Sequence, residues 1–355
     1  MQKFLTLIVV LFASATAHSA SFNNSGKYAV GQVVAEVELH NEALSQSGRY
    51  AFIAPKDGYL VEMDNQGVVT YSYKIPSPYN KRLNGAADVE VLPDGTGFLV
   101  VVPRTAVIQI DREKGLVWNC KTPYVSHDVD LLADSTIVFV NGWDDEGANE
   151  PVYTHMTKDC EVKDQLFAKD LGLDESKFHP DDSEYDPKRM SRQRPSHTHT
   201  NSVRVWPDGM LMLSIRNYDE FVLLKDRRVI KRYPGTSHVH DPVPINPDAS
   251  IDEMEFYFAG HGRPHDVRRT SKDDSADRSA DNVLWTMRSE PRKNRGLWRP
   301  IRTIEILPNK NILFSGSAYL AQITESGELV WKARINGFVN QSKPGNNIYK
   351  AAFVP

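Results

Sequence analysis

The chain reads Asp88-Val-Glu-Val-Leu-Pro-Asp-Gly95 and then Phe98-Leu-Val-Val-Val102. Apolar and polar residues alternate with period two on both sides of a Pro-Asp-Gly turn, which is the pattern of a β-hairpin. Two more apolar runs follow at short intervals, Ala106-Val-Ile-Gln-Ile110 and Gly115-Leu-Val-Trp118. The stretch therefore predicts one four-stranded antiparallel unit.

This unit recurs along the chain. Its hairpin turns are centred on Asp94, Asp134, Asp208, Asp248 and Asn309. The intervals from Asp94 to Asp134 and from Asp208 to Asp248 are both 40 residues. A four-strand repeat of about 40 residues is typical of a propeller blade. With an earlier unit over residues 50–72, the five turns predict an all-β protein, a six-bladed propeller of four-stranded antiparallel blades. A two-sheet sandwich is the structural alternative.

The chain is expected to hold a signal peptide and one domain. Residues 1–20 combine Lys3, an apolar core over residues 4–12 and small residues near position 20, as a secretory signal does. That core is far shorter than the roughly 20 residues of a membrane-spanning helix. Residues 21–355 are then a single propeller, exported to the periplasm or secreted, with polar insertions at about 144–195 and 262–281.

Composition excludes several classes of function. A formal net charge of −4 is mild and argues against broad binding to nucleic acid. No phosphate loop, dinucleotide-binding glycine pattern or Gly-x-Ser-x-Gly turn is present. The two cysteines, Cys120 and Cys160, form no zinc-type pair. In an oxidising compartment they form one disulfide or remain two thiols.

Three histidines occupy nearly the same place in three units. His127 lies seven residues before its turn aspartate, His199 nine and His240 eight. Ala87 and Arg302 take this place in two other units. Because the first strand of each blade lines the central channel, the three imidazoles are expected to meet at the channel mouth.

The hairpin geometry adds an arginine and an alternative chemistry. His199 and Arg216 are expected to face each other across the ladder that turns near Asp208. His197 and His238 form His-x-His pairs with His199 and His240, so a metal site built from imidazoles is an open alternative, with Asp128 and Asp241 as supporting carboxylates. A single strand histidine is otherwise most often structural.

Several segments together resemble the bacterial periplasmic arylsulfate sulfotransferase family. They are His199-Thr-Asn-Ser-Val203, Trp206-Pro-Asp-Gly209, Ser214-Ile-Arg216, Ser126-His-Asp-Val129, His240-Asp241 and Asn347-Ile-Tyr-Lys-Ala351. The first three resemble the family's His-x-Asn-Ser segment, hairpin and Ser-x-Arg. The chain departs from the family at Asn217, where histidine is common, and in the prolines around His240, which leave His238 as a substitute for it.

The resemblance implies a transferase that moves a sulfuryl group from an aryl sulfate to a phenol without a nucleotide donor, cofactor or metal. It implies His240 as the nucleophile of a ping-pong route through a sulfohistidine, with Arg216, His127 and His199 stabilising charge. Candidate substrate-binding residues are Asn201, Asn217, Trp143 and Tyr218, and Trp298 and Tyr319 are further candidates to flank the aryl ring. The alternatives are a metal-dependent propeller lyase or hydrolase that uses the same histidines as ligands, and a ligand-binding propeller without catalysis.

Overall fold

The computed structural model describes residues 26–141, 149, 151–173, 198–236, 238–260, 265–270 and 282–355. They form a closed ring of six antiparallel sheets, which confirms the predicted six-bladed propeller. Helical structure in these residues consists of short 3₁₀ turns, which include Tyr79–Lys81, Ala168–Leu171, Arg216–Tyr218, Met287–Ser289 and Arg295–Leu297. None of the helices described is long and apolar enough to cross a bilayer. The predicted signal peptide lies outside the described residues.

Blades 1 to 3 are built from the first half of the chain and its last strand. Blade 1 contains β2 (Arg49–Ala54), β3 (Tyr59–Asp64), β4 (Val69–Lys74) and β25 (Ala351–Val354). Blade 2 contains β5 (Asp88–Val91), β6 (Gly97–Val102), β7 (Ala106–Asp111) and β8 (Gly115–Lys121). Blade 3 contains β9 (Val129–Leu131), β10 (Ile137–Val140), β11 (Pro151–Met156) and β12 (Val162–Phe167).

Blades 4 to 6 follow in chain order. Blade 4 contains β13 (Thr200–Val205), β14 (Leu211–Ile215), β15 (Glu220–Lys225) and β16 (Arg228–Tyr233). Blade 5 contains β17 (His240–Pro244), β18 (Phe256–Gly260), β19 (Asp266–Arg269) and β20 (Asn282–Thr286). Blade 6 contains β21 (Ile304–Ile306), β22 (Ile312–Ser315), β23 (Tyr319–Ile323), β24 (Leu329–Ile335) and β1 (Ala35–His40).

The two ends of the described chain close the ring. β25, the last strand, pairs with β2 and supplies the innermost strand of blade 1. β1, the first strand, pairs with β24 and extends blade 6 on its outer side. The unit predicted at residues 50–72 is therefore blade 1, but its channel-lining strand comes from the other end of the sequence.

The repeated turns have a local cause. In the turn of blade 2, Oδ1 of Asp94 accepts a hydrogen bond from the Thr96 backbone N–H at 3.0 Å, and Gly95 between them has a φ of 68°. A short polar side chain that bonds two residues ahead, followed by a left-handed residue, is a favoured tight turn. Asp134, Asp208 and Asn309 make the corresponding bond in blades 3, 4 and 6.

Apolar side chains from neighbouring blades fill the space between the sheets. Trp298 and Tyr319 stack with ring centroids 4.6 Å apart in the core between blades 5 and 6, and both side chains are completely buried. These two rings lie in the core between two blades, and that either of them flanks an aryl ring stays a prediction.

A disulfide joins two consecutive blades. Cys120 in β8 of blade 2 is bonded to Cys160 in the turn between β11 and β12 of blade 3, with the Cα atoms 5.6 Å apart. Of the two alternatives left open by the sequence, the bridge is the one observed.

The predicted insertions are only partly described. Residues 151–173 include β11 and β12, so this part of the segment at about 144–195 belongs to blade 3 itself. β19 likewise lies within the segment at about 262–281. The remaining residues of both segments are outside the described part of the chain.

Candidate active site

The structure brings the three predicted histidines to the innermost strands of three consecutive blades. His127 precedes β9, His199 directly precedes β13, and His240 is the first residue of β17. The rings of His127 and His199 stack with centroids 5.3 Å apart. His127 and His240 are almost completely buried, whereas His199 is partly exposed.

Tyr349 links these histidines, and it was not among the predicted site residues. Its ring stacks on His127 with a centroid distance of 4.7 Å and lies 6.5 Å from the ring of His240. The guanidinium carbon of Arg302 lies 4.1 Å from the same ring centroid. We name the cluster of His127, His199, His240, Tyr349 and Arg302 the imidazole cluster.

Both missed residues carried a signal in the sequence. Arg302 occupies in the last unit the place that histidine takes in three others. Tyr349 comes two residues before the closing strand β25, in the segment over residues 347–351 that contributes to the resemblance to the sulfotransferase family.

The backbone is irregular at the two strand starts where His199 and His240 lie. His199, His238 and Asp241 have left-handed φ values of 48°, 53° and 48°. The register also shifts after Thr200 in blade 4 and after His240 in blade 5. Left-handed non-glycine residues are uncommon, and bulges redirect side chains next to functional sites. These two strand starts therefore depart from regular pairing where the histidines lie.

The shortest contact of the His240 ring indicates its tautomer. Its Nδ1 lies 2.9 Å from the backbone carbonyl oxygen of His238, which can only accept. Nδ1 therefore carries the proton, and in the neutral imidazole Nε2 carries the lone pair. The side-chain nitrogen of Asn201 lies 3.2 Å from the same nitrogen, but it is itself a donor, and its acceptor is the Val239 carbonyl at 3.3 Å. The Tyr349 hydroxyl donates to Asn201 Oδ1 at 3.4 Å.

Arg216 lies opposite His199 at the open end of the blade 4 hairpin, as predicted. Its backbone N–H donates to the His199 carbonyl at 3.4 Å, and its Nη1 donates to Asn217 Oδ1 at 3.1 Å. The backbone N–H of Asn217 donates to the Thr198 carbonyl at 3.1 Å. Tyr218 is partly buried against the core of blades 3 and 4. Trp143 and His197 lie outside the described residues.

The surroundings keep His127 and His199 neutral. Burial lowers the pKa of His127 well below its ordinary value, and the cationic groups of Arg302, Lys350 and Arg216 lower it further. Burial, and then Arg216, act in the same way on the pKa of His199. The lowered pKa values favour neutral imidazoles, and positive charge at the cluster therefore resides on arginine.

The aspartates next to the histidines hold the blades together. Lys350 Nζ lies 2.6 Å from Asp128 Oδ1 and 3.4 Å from Asp241 Oδ1. The other oxygen of Asp128 accepts the Val203 N–H at 2.7 Å, and that of Asp241 accepts the Ile304 N–H at 3.0 Å. Each aspartate thus joins its own innermost strand to that of the next blade, which gives the His-Asp pairs a structural role.

A cavity of about 110 Å³ continues from Lys350 into the channel. Burial raises the pKa of Asp130 to about 6 and that of Glu305 to about 7. Burial also raises the pKa values of Asp88 and Glu90 well above their ordinary values. Burial works against the charge of Lys350, but Asp128 and the neighbouring carboxylates hold its pKa well above the usual value.

In the part of the chain that the structure describes, the side chains grouped closely enough to hold a metal are carboxylates. Among the described residues, Asp88, Glu90 and Asp128 are the one group of three metal-ligating side chains whose ligand atoms all lie within 4.8 Å of one another. The group contains no histidine, so within the described residues the imidazoles do not converge as a metal-binding set.

The sequence matches no protein-family model and no curated protein. Among solved structures, a protein of unknown function from Bacteroides caccae is similar over 87% of this chain and 99% of that chain, with 9% identity and a TM-score of 0.52. A streptogramin B lyase structure matches over 91% and 94% of the two chains, with 11% identity and a TM-score of 0.46. Virginiamycin B lyase from Staphylococcus aureus matches over 84% and 88%, with 11% identity and a TM-score of 0.44. At 9% identity, the first match concerns the fold alone.

Proposed function

We propose that this propeller transfers a sulfuryl group from an aryl sulfate to a phenol through a covalent intermediate on His240. The observation that carries the proposal is the hydrogen bond from His240 Nδ1 to the His238 carbonyl. It leaves the lone pair on Nε2, and a neutral imidazole with a fixed tautomer is an activated nucleophile.

The first half-reaction forms a nitrogen–sulfur bond. The Nε2 lone pair attacks sulfur, the bond from sulfur to the aryl oxygen breaks, and the phenolate leaves with the electron pair. The ring then carries a positive charge beside the attached SO₃⁻ group. The His238 carbonyl accepts a hydrogen bond from Nδ1–H and stabilises that charge.

The second half-reaction returns the enzyme to its starting state. The oxygen of the acceptor phenol attacks sulfur and loses its proton, while the nitrogen–sulfur bond breaks and its electron pair returns to Nε2. The proton lost by the acceptor balances the one gained by the first phenolate in water. The net reaction exchanges one sulfate ester and one phenol for another pair.

The charges around the imidazole cluster suit an anionic ester. Arg216 supplies a cation next to His199, and Arg302 supplies another against Tyr349. Positioned donors of this kind stabilise charge that builds on equatorial oxygens in group transfer. His127 and His199 are neutral in the free protein, so they donate or accept hydrogen bonds. A bound anion raises the pKa of His199, which makes it a stronger base for the acceptor proton.

The alternative of a metal-dependent lyase or hydrolase needs imidazole ligands. Among the described residues, the group that could hold a metal consists of carboxylates and contains no histidine. We therefore retain metal-free transfer as the proposal.

The test is an assay of the purified protein with p-nitrophenyl sulfate as donor and phenol as acceptor, with and without EDTA, well below the melting temperature. We expect nitrophenol release that depends on phenol and persists in EDTA. Turnover that EDTA abolishes and a divalent ion restores would replace the transferase with the metal enzyme. No turnover with any aryl sulfate would support a ligand-binding propeller.

A further inference from the structure

The central channel holds six carboxyl groups, more than the nearby cations could balance if all of them were ionised. The carboxyl groups are Asp88, Glu90, Asp128, Asp130, Asp241 and Glu305, and the cationic groups are Arg204 and Lys350. If all were ionised, two positive and six negative charges would leave a net charge of −4 in a small volume. Burying uncompensated charge is strongly unfavourable, so protons or a cation must neutralise it.

Three of these carboxylates meet between blades 2 and 3. Asp88 and Glu90 belong to β5, and Asp128 directly precedes β9. Each contributes an oxygen, and these oxygens lie within 4.8 Å of one another.

Asp88 gives a second and independent indication of a ligand. Its side chain is completely buried, neither oxygen accepts a hydrogen bond from an N–H group or hydroxyl of the described residues, and the polar group within its reach is the Asp128 carboxyl. Buried polar atoms in native proteins nearly always have a partner. A fully buried carboxylate without a donor, beside two other carboxylates, therefore points to a bound cation.

The ligand type favours calcium. Three protein carboxylates around one ion are typical of Ca²⁺, whereas Mg²⁺ is usually held by one or two carboxylates and keeps several of its waters. Glu90 and Asp128 also line the cavity of about 110 Å³. That cavity has room for about three waters, which would complete a calcium coordination shell.

We propose that the propeller channel binds one calcium ion through the carboxylates of Asp88, Glu90 and Asp128. Asp128 can ligate while it keeps its contacts with Lys350 and Val203, because each carboxylate oxygen has two lone pairs. The ion joins blade 2 to blade 3, as Lys350 joins the closing segment to blades 3 and 5. It is a structural ion and does not depend on the proposed sulfuryl transfer.

The test uses the chelator-treated protein and calcium chloride. Isothermal titration is expected to show one calcium ion per chain. Thermal melts are expected to shift upward by about 3 °C or more at a free calcium concentration near 100 times Kd, with a smaller shift for magnesium. Asp88→Asn keeps the shape of the side chain but removes its charge. This variant is expected to bind calcium at least tenfold more weakly and to be no less stable than the wild type in EDTA.

Glu305→Gln is the matched control, because it removes a channel carboxylate outside the proposed ligand set. Its amide oxygen can still accept the Phe353 N–H that Glu305 accepts at 2.8 Å. This variant is expected to keep the calcium-dependent shift. The proposal is overturned if the wild type binds no calcium and melts at the same temperature with and without it. It is also overturned if Asp88→Asn keeps the full shift, if magnesium matches calcium, or if sodium chloride of equal ionic strength reproduces the effect.

Discussion

The imidazole of His240 donates a hydrogen bond from Nδ1–H to the backbone carbonyl of His238, two residues earlier, with an N···O distance of 2.9 Å. The acceptor is itself held in place, because the His238 N–H donates to Asp219 Oδ1 at 2.6 Å while His238 has a left-handed φ of 53°. An uncommon backbone conformation, fixed by a carboxylate, thus orients the carbonyl that selects the tautomer of His240.

Loss of the Arg216 guanidinium should slow sulfuryl transfer without preventing formation of the covalent intermediate. Removing a single donor that stabilises transition-state charge typically lowers the rate by about 10²–10³. We expect Arg216→Ala to lower kcat/KM by this factor and still to form sulfo-enzyme slowly. Arg228→Ala, which removes an exposed arginine in β16, is the matched control and should keep wild-type kinetics. Wild-type kinetics in Arg216→Ala would remove this arginine from the mechanism.

His127 should make stability depend on pH below its unfolded pKa of about 6.5. Its folded pKa is lowered by burial and by nearby cations, so the unfolded chain binds a proton that the folded protein does not. Relative to His127→Gln, the free energy of unfolding of the wild type should fall by about 1.4 kcal/mol per pH unit as pH decreases below 6.5, until the folded pKa is reached.

Urea unfolding of both proteins between pH 5 and 8 measures this difference. Subtracting the two curves removes the opposite contribution of the channel carboxyls, which is common to both proteins. A difference that stays constant across this range would show that His127 has an unshifted pKa.

The disulfide between Cys120 and Cys160 should contribute to stability by restricting the unfolded chain. The double variant Cys120→Ala, Cys160→Ala is expected to lose about 2–4 kcal/mol of unfolding free energy. Reduced wild type should then unfold like the double variant. Titration of the unfolded, unreduced protein with a thiol reagent should find no free thiol, and two reactive thiols would contradict the bridge.

Lys350 should contribute strongly to the free energy of unfolding, because it pairs with two buried aspartates at the centre of the ring. Replacing it with methionine leaves Asp128 and Asp241 buried without their cation, and breaking a buried pair in this way costs about 3–5 kcal/mol. The control is Lys163→Met, which removes a surface ion pair with Asp134 and should cost at most about 1 kcal/mol. Equal losses in the two variants, measured by urea unfolding, would contradict the role of Lys350.

Much of the fold could be predicted because the turns of its repeat depend on residues that are adjacent in the sequence. The turn at residues 94–95 needs a side chain that hydrogen-bonds to the nearby backbone and a residue that tolerates positive φ. Asp94 and Gly95 meet these two needs, and both residue types can be read from the sequence. The repeat pattern does not show the ring closure, because pairing between β2 and β25 joins residues about 300 apart and leaves no periodic trace.

The site was predictable to the same extent. His127, His199 and His240 share a repeat position, so their convergence follows from the propeller geometry. Tyr349 does not share that position, and Arg302 shares it without being a histidine. The neutral state of His127 and His199 was also beyond prediction, since it depends on burial and on cations from other blades.

The most direct test of the account is to find where the sulfuryl group is held. The protein is incubated with an aryl sulfate in the absence of acceptor, and its peptides are then mapped by mass spectrometry. We predict one added SO₃ group on His240, which is lost when phenol is added, and we predict that His240→Asn is inactive and unlabelled. A label on His238, His199 or His127 would show that another imidazole is the nucleophile, and rapid transfer by His240→Asn without any label would contradict the covalent mechanism.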